Sequence, residues 1–168
     1  MDAVFLAIES SALSTWLRES PSLWVFPFAL ILHTWGLAFL VGANVVIDAR
    51  ILGLIPGVPL RSLERYFLVV WVGFWVNLAS GLALLVAYPT KALTNPLFYA
   101  KLALVAVGFV TALVIRRRMR ALPPEHDGPP PAALVRLAGL SLAAWAVAIP
   151  AGRFLAYTCT RLMVDSPC

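Results

Sequence analysis

The stretch that decides the fold covers residues 22–50 and reads SLWVFPFALILHTWGLAFLVGANVVIDAR. About 20 apolar residues in a helix, at about 1.5 Å per residue, cross a hydrocarbon core of about 30 Å, so this stretch predicts a membrane-spanning helix. His33 lies about 14 Å from its start, near the middle of the membrane. An ionisable side chain at that depth is costly in lipid and usually faces the bundle interior, which makes His33 the first candidate functional residue.

The composition of the whole chain is that of a membrane protein. Hydrophobic residues make up 61% of its 168 residues and the mean hydropathy is +0.88, whereas a soluble domain is usually about 45–50% apolar. The net charge of +5 would also suit nucleic-acid binding, but the arginines cluster in short loops beside apolar runs, where they set membrane orientation. We therefore predict an integral membrane protein with no nucleic-acid partner.

Four apolar runs predict an all-α, four-helix transmembrane bundle that forms one domain over residues 1–168. The predicted spans cover residues about 23–47, 66–88, 97–115 and 132–157. Residues about 3–18 place apolar and polar side chains on opposite faces of a helix and predict an amphipathic helix on the membrane interface. In the first span, Ala38 and Gly42 predict the close helix contact, because small residues four apart let backbones approach.

The distribution of basic residues predicts the orientation of the bundle. Seven of them fall in or beside the first and third loops: Arg50, Arg61, Arg65, Arg116, Arg117, Arg118 and Arg120. The other side has fewer, so we expect these loops to be cytoplasmic and both termini periplasmic in a bacterial inner membrane. Cys159 and Cys168 would then lie on the oxidising side, where a disulfide is permitted but their spacing does not demand one.

Polar residues gather in the half of the predicted membrane region nearer the termini: His33, Lys101, Arg153 and Ser80, with Asn77 deeper. Cations there need an anionic partner, because an unpaired charge taken out of water costs several kcal/mol. Asp48 is predicted to mark the opposite end of the first span and is too far away, which leaves a bound ligand, a lipid phosphate or solvent as the missing anion. Haem b would meet these demands, with His33 as axial ligand to the iron and with Lys101 and Arg153 as counter-ions of the two propionates.

The same residues also allow structural interpretations. His33 can bond a backbone carbonyl or Asn77 of a neighbouring helix as packing glue. Lys101 and Arg153 can extend their charged ends to the interface, which is the commoner fate of such residues. Asn77 and Ser80 lie three apart on one helix face, a spacing that more often marks a helix contact than a ligand site.

Three fragments carry a resemblance to known families: LHTWGLAFLVGANVVIDARILG in span one, NPLFYAKLAL at the start of span three and AGRFLAY at the end of span four. They resemble an uncharacterised family of four-span bacterial inner-membrane proteins. The LH pair and YAKLALV are also similar to the haem-binding membrane protoporphyrinogen oxidase family and, more distantly, to copper-resistance D-type membrane proteins. That resemblance implies functional roles for His33 and Lys101. Relatives often carry a further histidine near the end of span three, where this chain has Ile115 and Arg116, so no second histidine ligand is implied.

We predict a haem b-associated redox or electron-transfer subunit, and leave open whether the chain is itself an enzyme. The alternative is a non-catalytic membrane scaffold or anchor subunit of a larger complex. Permeation of a metal or small solute is disfavoured, because a pore needs several polar residues along one path. The expected partners are the lipid bilayer, a membrane or periplasmic redox partner or a larger membrane complex, and, in a homo-oligomer, a second copy of the chain.

Overall fold

The computed structural model describes residues 1–123, 128–158 and 161–167. The helices are α1 (Asp2–Glu9), α2 (Ala12–Glu19), α3 (Val25–Ile51), α4 (Tyr66–Ala87), α5 (Pro89–Leu93), α6 (Pro96–Arg120) and α7 (Ala132–Tyr157), with a 3-10 turn at Leu60–Arg65 before α4. Strands β1 (Arg161–Met163) and β2 (Ser166–Pro167) pair antiparallel near the C-terminus. The chain is therefore helical apart from one short hairpin.

Helices α3, α4, α6 and α7 are long and apolar enough to cross a membrane, which confirms the predicted all-α, four-span architecture of a multi-pass membrane protein. α3 continues to Ile51, about one turn beyond its predicted end. α6 continues to Arg120 through the basic run RRRMR, because arginine is a good helix former and the run holds no glycine or proline. Both helices therefore include, in their last turns, charged residues that were predicted to lie beyond the spans.

The four long helices form two antiparallel pairs, α3 with α4 and α6 with α7, and α3 also contacts α7. Aromatic rings fill the space between α4 and α6. Phe74 and Phe109 stack with ring centroids 4.0 Å apart, and Trp71 meets Phe109 edge-on at 5.4 Å. These contacts complete the bundle, in which the backbones of each pair approach closely and the two pairs are joined by larger side chains.

The two ends of the bundle differ in composition and in packing. At the termini end, α1, α5 and the hairpin meet, and Arg161 pairs with Asp2 at 3.3 Å. At the arginine end, which holds the connections after α3 and α6, Arg120 pairs with Glu64. Much of the buried core lies toward the arginine end, including Ile47, Ile51, Leu63, Phe67, Ile115 and Leu134. α6 buries no residue before Gly108, so its part nearer the termini end is more open.

The closest approach of α3 and α4 lies at Gly36 and Gly73. A Cβ at Gly36 would be 2.6 Å from the backbone nitrogen of Asn77, and a Cβ at Gly73 would be 2.5 Å from that of Leu40. Only glycine permits this contact, because any side chain would have to push a backbone aside. The predicted contact through Ala38 and Gly42 is wrong: both residues are exposed, and a Cβ at Gly42 would meet nothing within 4 Å.

The N-terminal segment forms two helices in place of the single predicted one. The chain breaks after Glu9, and the Ser11 hydroxyl caps α2 by accepting the backbone N–H of Ser14 at 3.3 Å. Serine is a favoured cap because its oxygen satisfies a donor that the first helical turn leaves free. Sequence periodicity continued across this break and so did not reveal it.

The polar face of these two helices packs on the protein. Glu9 is 2% exposed and accepts hydrogen bonds from the Thr90 hydroxyl and, at 3.2 Å, from the backbone N–H of Val164. The Ser14 hydroxyl donates to the carbonyl oxygen of Val86 at 2.8 Å. Several apolar side chains are instead exposed: Val4, Leu6, Leu13 and Trp16. The polar side of the predicted amphipathic segment thus contacts α4, α5 and the C-terminal segment, and its position on the membrane interface stays a prediction.

Candidate functional site

His33 lies on α3, one turn before the glycine contact, and faces α4. Its Nδ1 is 3.1 Å from the backbone oxygen of Asn77 and 3.2 Å from the hydroxyl of Ser80. The Asn77 side chain in turn donates from Nδ2 to the backbone oxygen of His33 at 2.8 Å. The structure therefore brings three of the predicted site residues together. In the chain, Asn77 and Ser80 lie 44 and 47 residues after His33.

These contacts define the protonation of the imidazole. A carbonyl oxygen only accepts hydrogen bonds, so Nδ1 must carry the proton that it donates to Asn77. The hydroxyl of Ser80 directs its own proton to the backbone oxygen of Val76 at 2.6 Å and is free to accept from the same Nδ1–H. In this tautomer Nε2 carries the lone pair, and it bonds to no residue that the structure describes.

Glycines make room for the ring and for Lys101. A Cβ at Gly81 would lie 3.1 Å from Cε1 of His33, and a Cβ at Gly152 would lie 3.3 Å from Cε of Lys101. Each side chain therefore packs over a glycine of the helix that pairs with its own. Because sequence reasoning considered only polar residues, it missed Gly81 and Gly152.

Lys101 projects from α6 and is partly buried, within electrostatic reach of His33. Its ammonium group makes no hydrogen bond or ion pair with any described residue. Arg153 directly follows Gly152 on α7 but is exposed and likewise makes no polar contact within the described chain. The structure thus packs Lys101 against Gly152 of α7 and leaves Arg153 on the surface next to it.

A second polar group, which the sequence analysis assigned to a helix end, lies inside the bundle. Asp48 is 0% exposed, and Asn44, Ser141 and Trp145 are buried with it. Asp48 does lie in the last turn of α3, three residues before Ile51, but its side chain is buried inside the bundle, which the sequence analysis did not predict. A signal was present: Leu40, Asn44, Asp48 and Ile51 recur at helical spacing, and all four are buried.

Cys159 and Cys168, which the sequence analysis considered, lie outside the described residues, and so does His126. Within the described part of the chain, no three His, Cys, Asp or Glu side chains gather as a metal site would require. Any metal held at the candidate site would have a single protein nitrogen, Nε2 of His33.

The arrangement suits ligation or proton exchange at one neutral imidazole nitrogen, with a cation close by. A histidine whose Nδ1–H is held by a carbonyl presents Nε2 in a fixed direction, which is the usual state of a metal-binding histidine. The neighbouring ammonium would attract an anionic group of a bound molecule.

No protein-family model, curated protein or solved structure matches this chain.

Proposed function

We propose that this chain is a redox or electron-transfer subunit of the bacterial inner membrane that binds haem b through His33. The observation that carries the proposal is the tautomer of that histidine. Its Nδ1–H donates to Asn77, and its Nε2 lone pair has no partner among the described residues. A histidine placed only as interhelical glue has no need for an unoccupied nitrogen.

Asn77 and Ser80 support a ligand rather than provide one. Their oxygens hold the Nδ1 side of the ring at 3.1 and 3.2 Å, which fixes the ring orientation and increases the basicity of the opposite nitrogen. Ser80 is buried, so water does not compete freely for this contact. The ring would be held in place before any ligand arrives.

Lys101 and Arg153 are the candidate partners of the two propionates. They lie on the paired helices α6 and α7: Lys101 packs against Gly152, and Arg153 is the residue after Gly152. Among the described residues Lys101 has no anionic partner, and a partly buried ammonium is stabilised by one. Arg153 is exposed, and its guanidinium could bind a carboxylate through two parallel hydrogen bonds.

A bound haem b would supply a site for one electron, whose potential depends on the axial ligand and on the surrounding charges. The residues of the chain would do three things there: His33 would donate its lone pair, Asn77 and Ser80 would orient the ring, and Lys101 would raise the local positive charge. Residues outside the site would exclude water, since the helix faces around it are apolar.

A non-catalytic scaffold or anchor subunit is the second candidate, and one observation favours it. The contacts among His33, Asn77 and Ser80 tie α3 to α4, as polar glue does between membrane helices. In that case the partner would be a larger membrane complex. For the redox subunit, the partner would be a membrane or periplasmic electron carrier.

The optical spectrum of the protein purified from haem-replete cells tests the proposal. We expect a Soret band, together with separate α and β bands that sharpen on reduction, because a histidine-ligated haem b absorbs in both regions. The full-length chain in mild detergent is the sample, and the ratio of Soret absorbance to protein absorbance is the measurement. Purified protein that shows no Soret band, even after incubation with hemin, would support the scaffold.

The proposed orientation has its own test. Seven basic residues lie at or near the arginine end, and we place that end in the cytoplasm, with both termini in the periplasm. Alkaline phosphatase fused after Cys168 is expected to be active, and the same enzyme inserted after Pro56 is expected to be inactive. The opposite pair of activities would invert the bundle and place the His33 site in the cytoplasmic half of the membrane.

A further inference from the structure

Asp48 belongs to a buried stripe of α3 near the arginine end. The stripe repeats every three or four residues and consists of Leu40, Ala43, Asn44, Ile47, Asp48 and Ile51. The carboxyl group of Asp48 is 0% exposed, three residues before the helix ends. The carboxyl is therefore buried although α3 ends at Ile51, about 5 Å further along the helix axis.

The polar atoms around this carboxyl have no partners. Both oxygens of Asp48, Nδ2 of Asn44 and the hydroxyl of Ser141 are buried without a hydrogen bond to any described residue. Nε1 of Trp145 and Nε of Arg116 are also buried and unpaired, but the indole packs against Gly108 of α6. Ser141 of α7 faces Asp48 but does not complete the bond, and Asn44 lies one turn before Asp48 on the same buried stripe. Buried polar groups are nearly always satisfied, so the unpaired atoms of Asp48, Asn44 and Ser141 indicate an occupant that bridges them.

No charged group balances Asp48 within the described residues. On α3, Arg50 donates to the backbone oxygen of Val58. Elsewhere at this end of the bundle, Glu64 pairs with Arg120, and Arg65 lies over Tyr66. Arg116 lies over Phe67 with its own Nε buried and unpaired, and it forms no ion pair with Asp48. Arg61, Arg117, Arg118 and Arg136 form no ion pair with Asp48 either. α4 contributes no charged side chain. An ionised carboxylate here would therefore lack both water and a counter-charge, and needs one positive charge from outside.

The positive charge that fits this site best is a proton. A proton makes the carboxyl neutral and so removes the cost of a buried charge without a counter-charge. A metal ion such as Ca²⁺ needs about six oxygen ligands, whereas the unpaired oxygens here are those of Asp48 and Ser141. Nδ2 of Asn44 and the hydroxyl of Ser141 are unpaired donors. Water molecules suit the group well, because each can accept from one of these donors and donate to the carboxyl of Asp48.

We propose that Asp48 is a proton-binding site, held with bridging water by Asn44 and Ser141, which exchanges its proton with the aqueous phase at the arginine end. A hydronium ion transfers its proton to one carboxylate oxygen and leaves as water, and the reverse step returns the carboxylate. The site is distinct from that of His33 and does not depend on haem. It gives the chain a titratable group in each half of the membrane.

Infrared difference spectroscopy tests the site directly. The full-length protein in lipid nanodiscs at about pH 7 is expected to show the carbonyl stretch of a protonated carboxylic acid, which shifts down in D2O as the proton exchanges. Asp48→Asn should remove the band, since its side chain has nearly the same shape but no acid group. Ser141→Ala should keep the band and move its frequency, because the nearest hydroxyl is lost. Glu9→Gln is the matched control at the other buried carboxyl and should leave the band unchanged.

Each other outcome overturns the proposal. A wild-type spectrum without the band, or an Asp48→Asn spectrum that retains it, would show that Asp48 is not the protonated group. A band that does not shift after prolonged incubation in D2O would mean that Asp48 is a structural carboxyl whose proton does not exchange with water. A band that disappears when sodium chloride replaces choline chloride would show that Asp48 binds sodium ion rather than a proton.

Discussion

Replacing His33 by alanine is expected to abolish the Soret band of the purified protein. His33 supplies the sole described imidazole nitrogen at the site, and the described residues offer no second ligand to take its place. Titration of hemin into the purified variant, followed by absorbance, is the measurement. We expect at least a tenfold loss of hemin affinity, corresponding to about 1.4 kcal/mol or more.

Two comparisons separate ligation from a packing role. Lys101→Ala and Arg153→Ala should weaken hemin retention while leaving the shape of the spectrum unchanged, because they remove charge and not the iron ligand. His33→Gly should regain the band when free imidazole is added, since the small molecule can occupy the vacated space. If His33→Ala instead changes only stability, by about 1 kcal/mol, and imidazole has no effect, His33 is an interhelical hydrogen bond and the scaffold candidate stands.

Gly36→Ala is expected to destabilise the bundle by about 1–3 kcal/mol, with a loss of the His33 geometry. The added methyl would lie 2.6 Å from the backbone nitrogen of Asn77 and 2.9 Å from its Cα, so α3 and α4 must separate. Asn77 is also the acceptor for Nδ1 of His33, and the same displacement would lengthen that hydrogen bond. Unfolding of the detergent-solubilised protein by heat or by SDS measures the first effect, and the hemin titration measures the second.

Gly42→Ala provides the matched control on the same helix. A Cβ there meets nothing within 4 Å, and alanine is the better helix former, so the variant should be as stable as the wild type or slightly more so, within about 1 kcal/mol. Equal losses of stability in Gly36→Ala and Gly42→Ala would show that the effect comes from the glycine-to-alanine change itself and not from the helix contact. No loss in either would contradict the close contact of α3 with α4.

Much of the fold could be predicted from the sequence, because it depends on local composition. A run of apolar residues long enough to cross the hydrocarbon core forms a helix wherever its neighbours lie, since lipid offers no partner for free backbone groups. The four spans followed from that rule, with errors of a few residues where α3 and α6 continue to Ile51 and Arg120. Counting residues along those helices also predicted related depths for four polar residues: His33, Asn77, Ser80 and Lys101.

It was harder to predict which face of each helix is buried. Many lipid-facing side chains of this bundle are as apolar as its core, with Phe28, Trp35, Leu68 and Phe154 all largely exposed. A helix in lipid therefore lacks the contrast between a polar and an apolar side that reveals the buried face of a soluble helix. For this reason the predicted contact of Ala38 and Gly42 was wrong, and the inward direction of Asp48 was missed.

By itself, the sequence determined that this chain is a bundle of four membrane-spanning helices with an unequal distribution of arginines, because segment length, hydropathy and charge are properties of each segment alone. Only the tertiary structure decided which distant side chains meet. The bond of His33 to Asn77, the packing of Lys101 over Gly152 and the unpaired group around Asp48 each join separate helices. Their contacts depend on how closely and in which rotation those helices pack, and that depends on glycines whose importance appears only when two backbones are brought together.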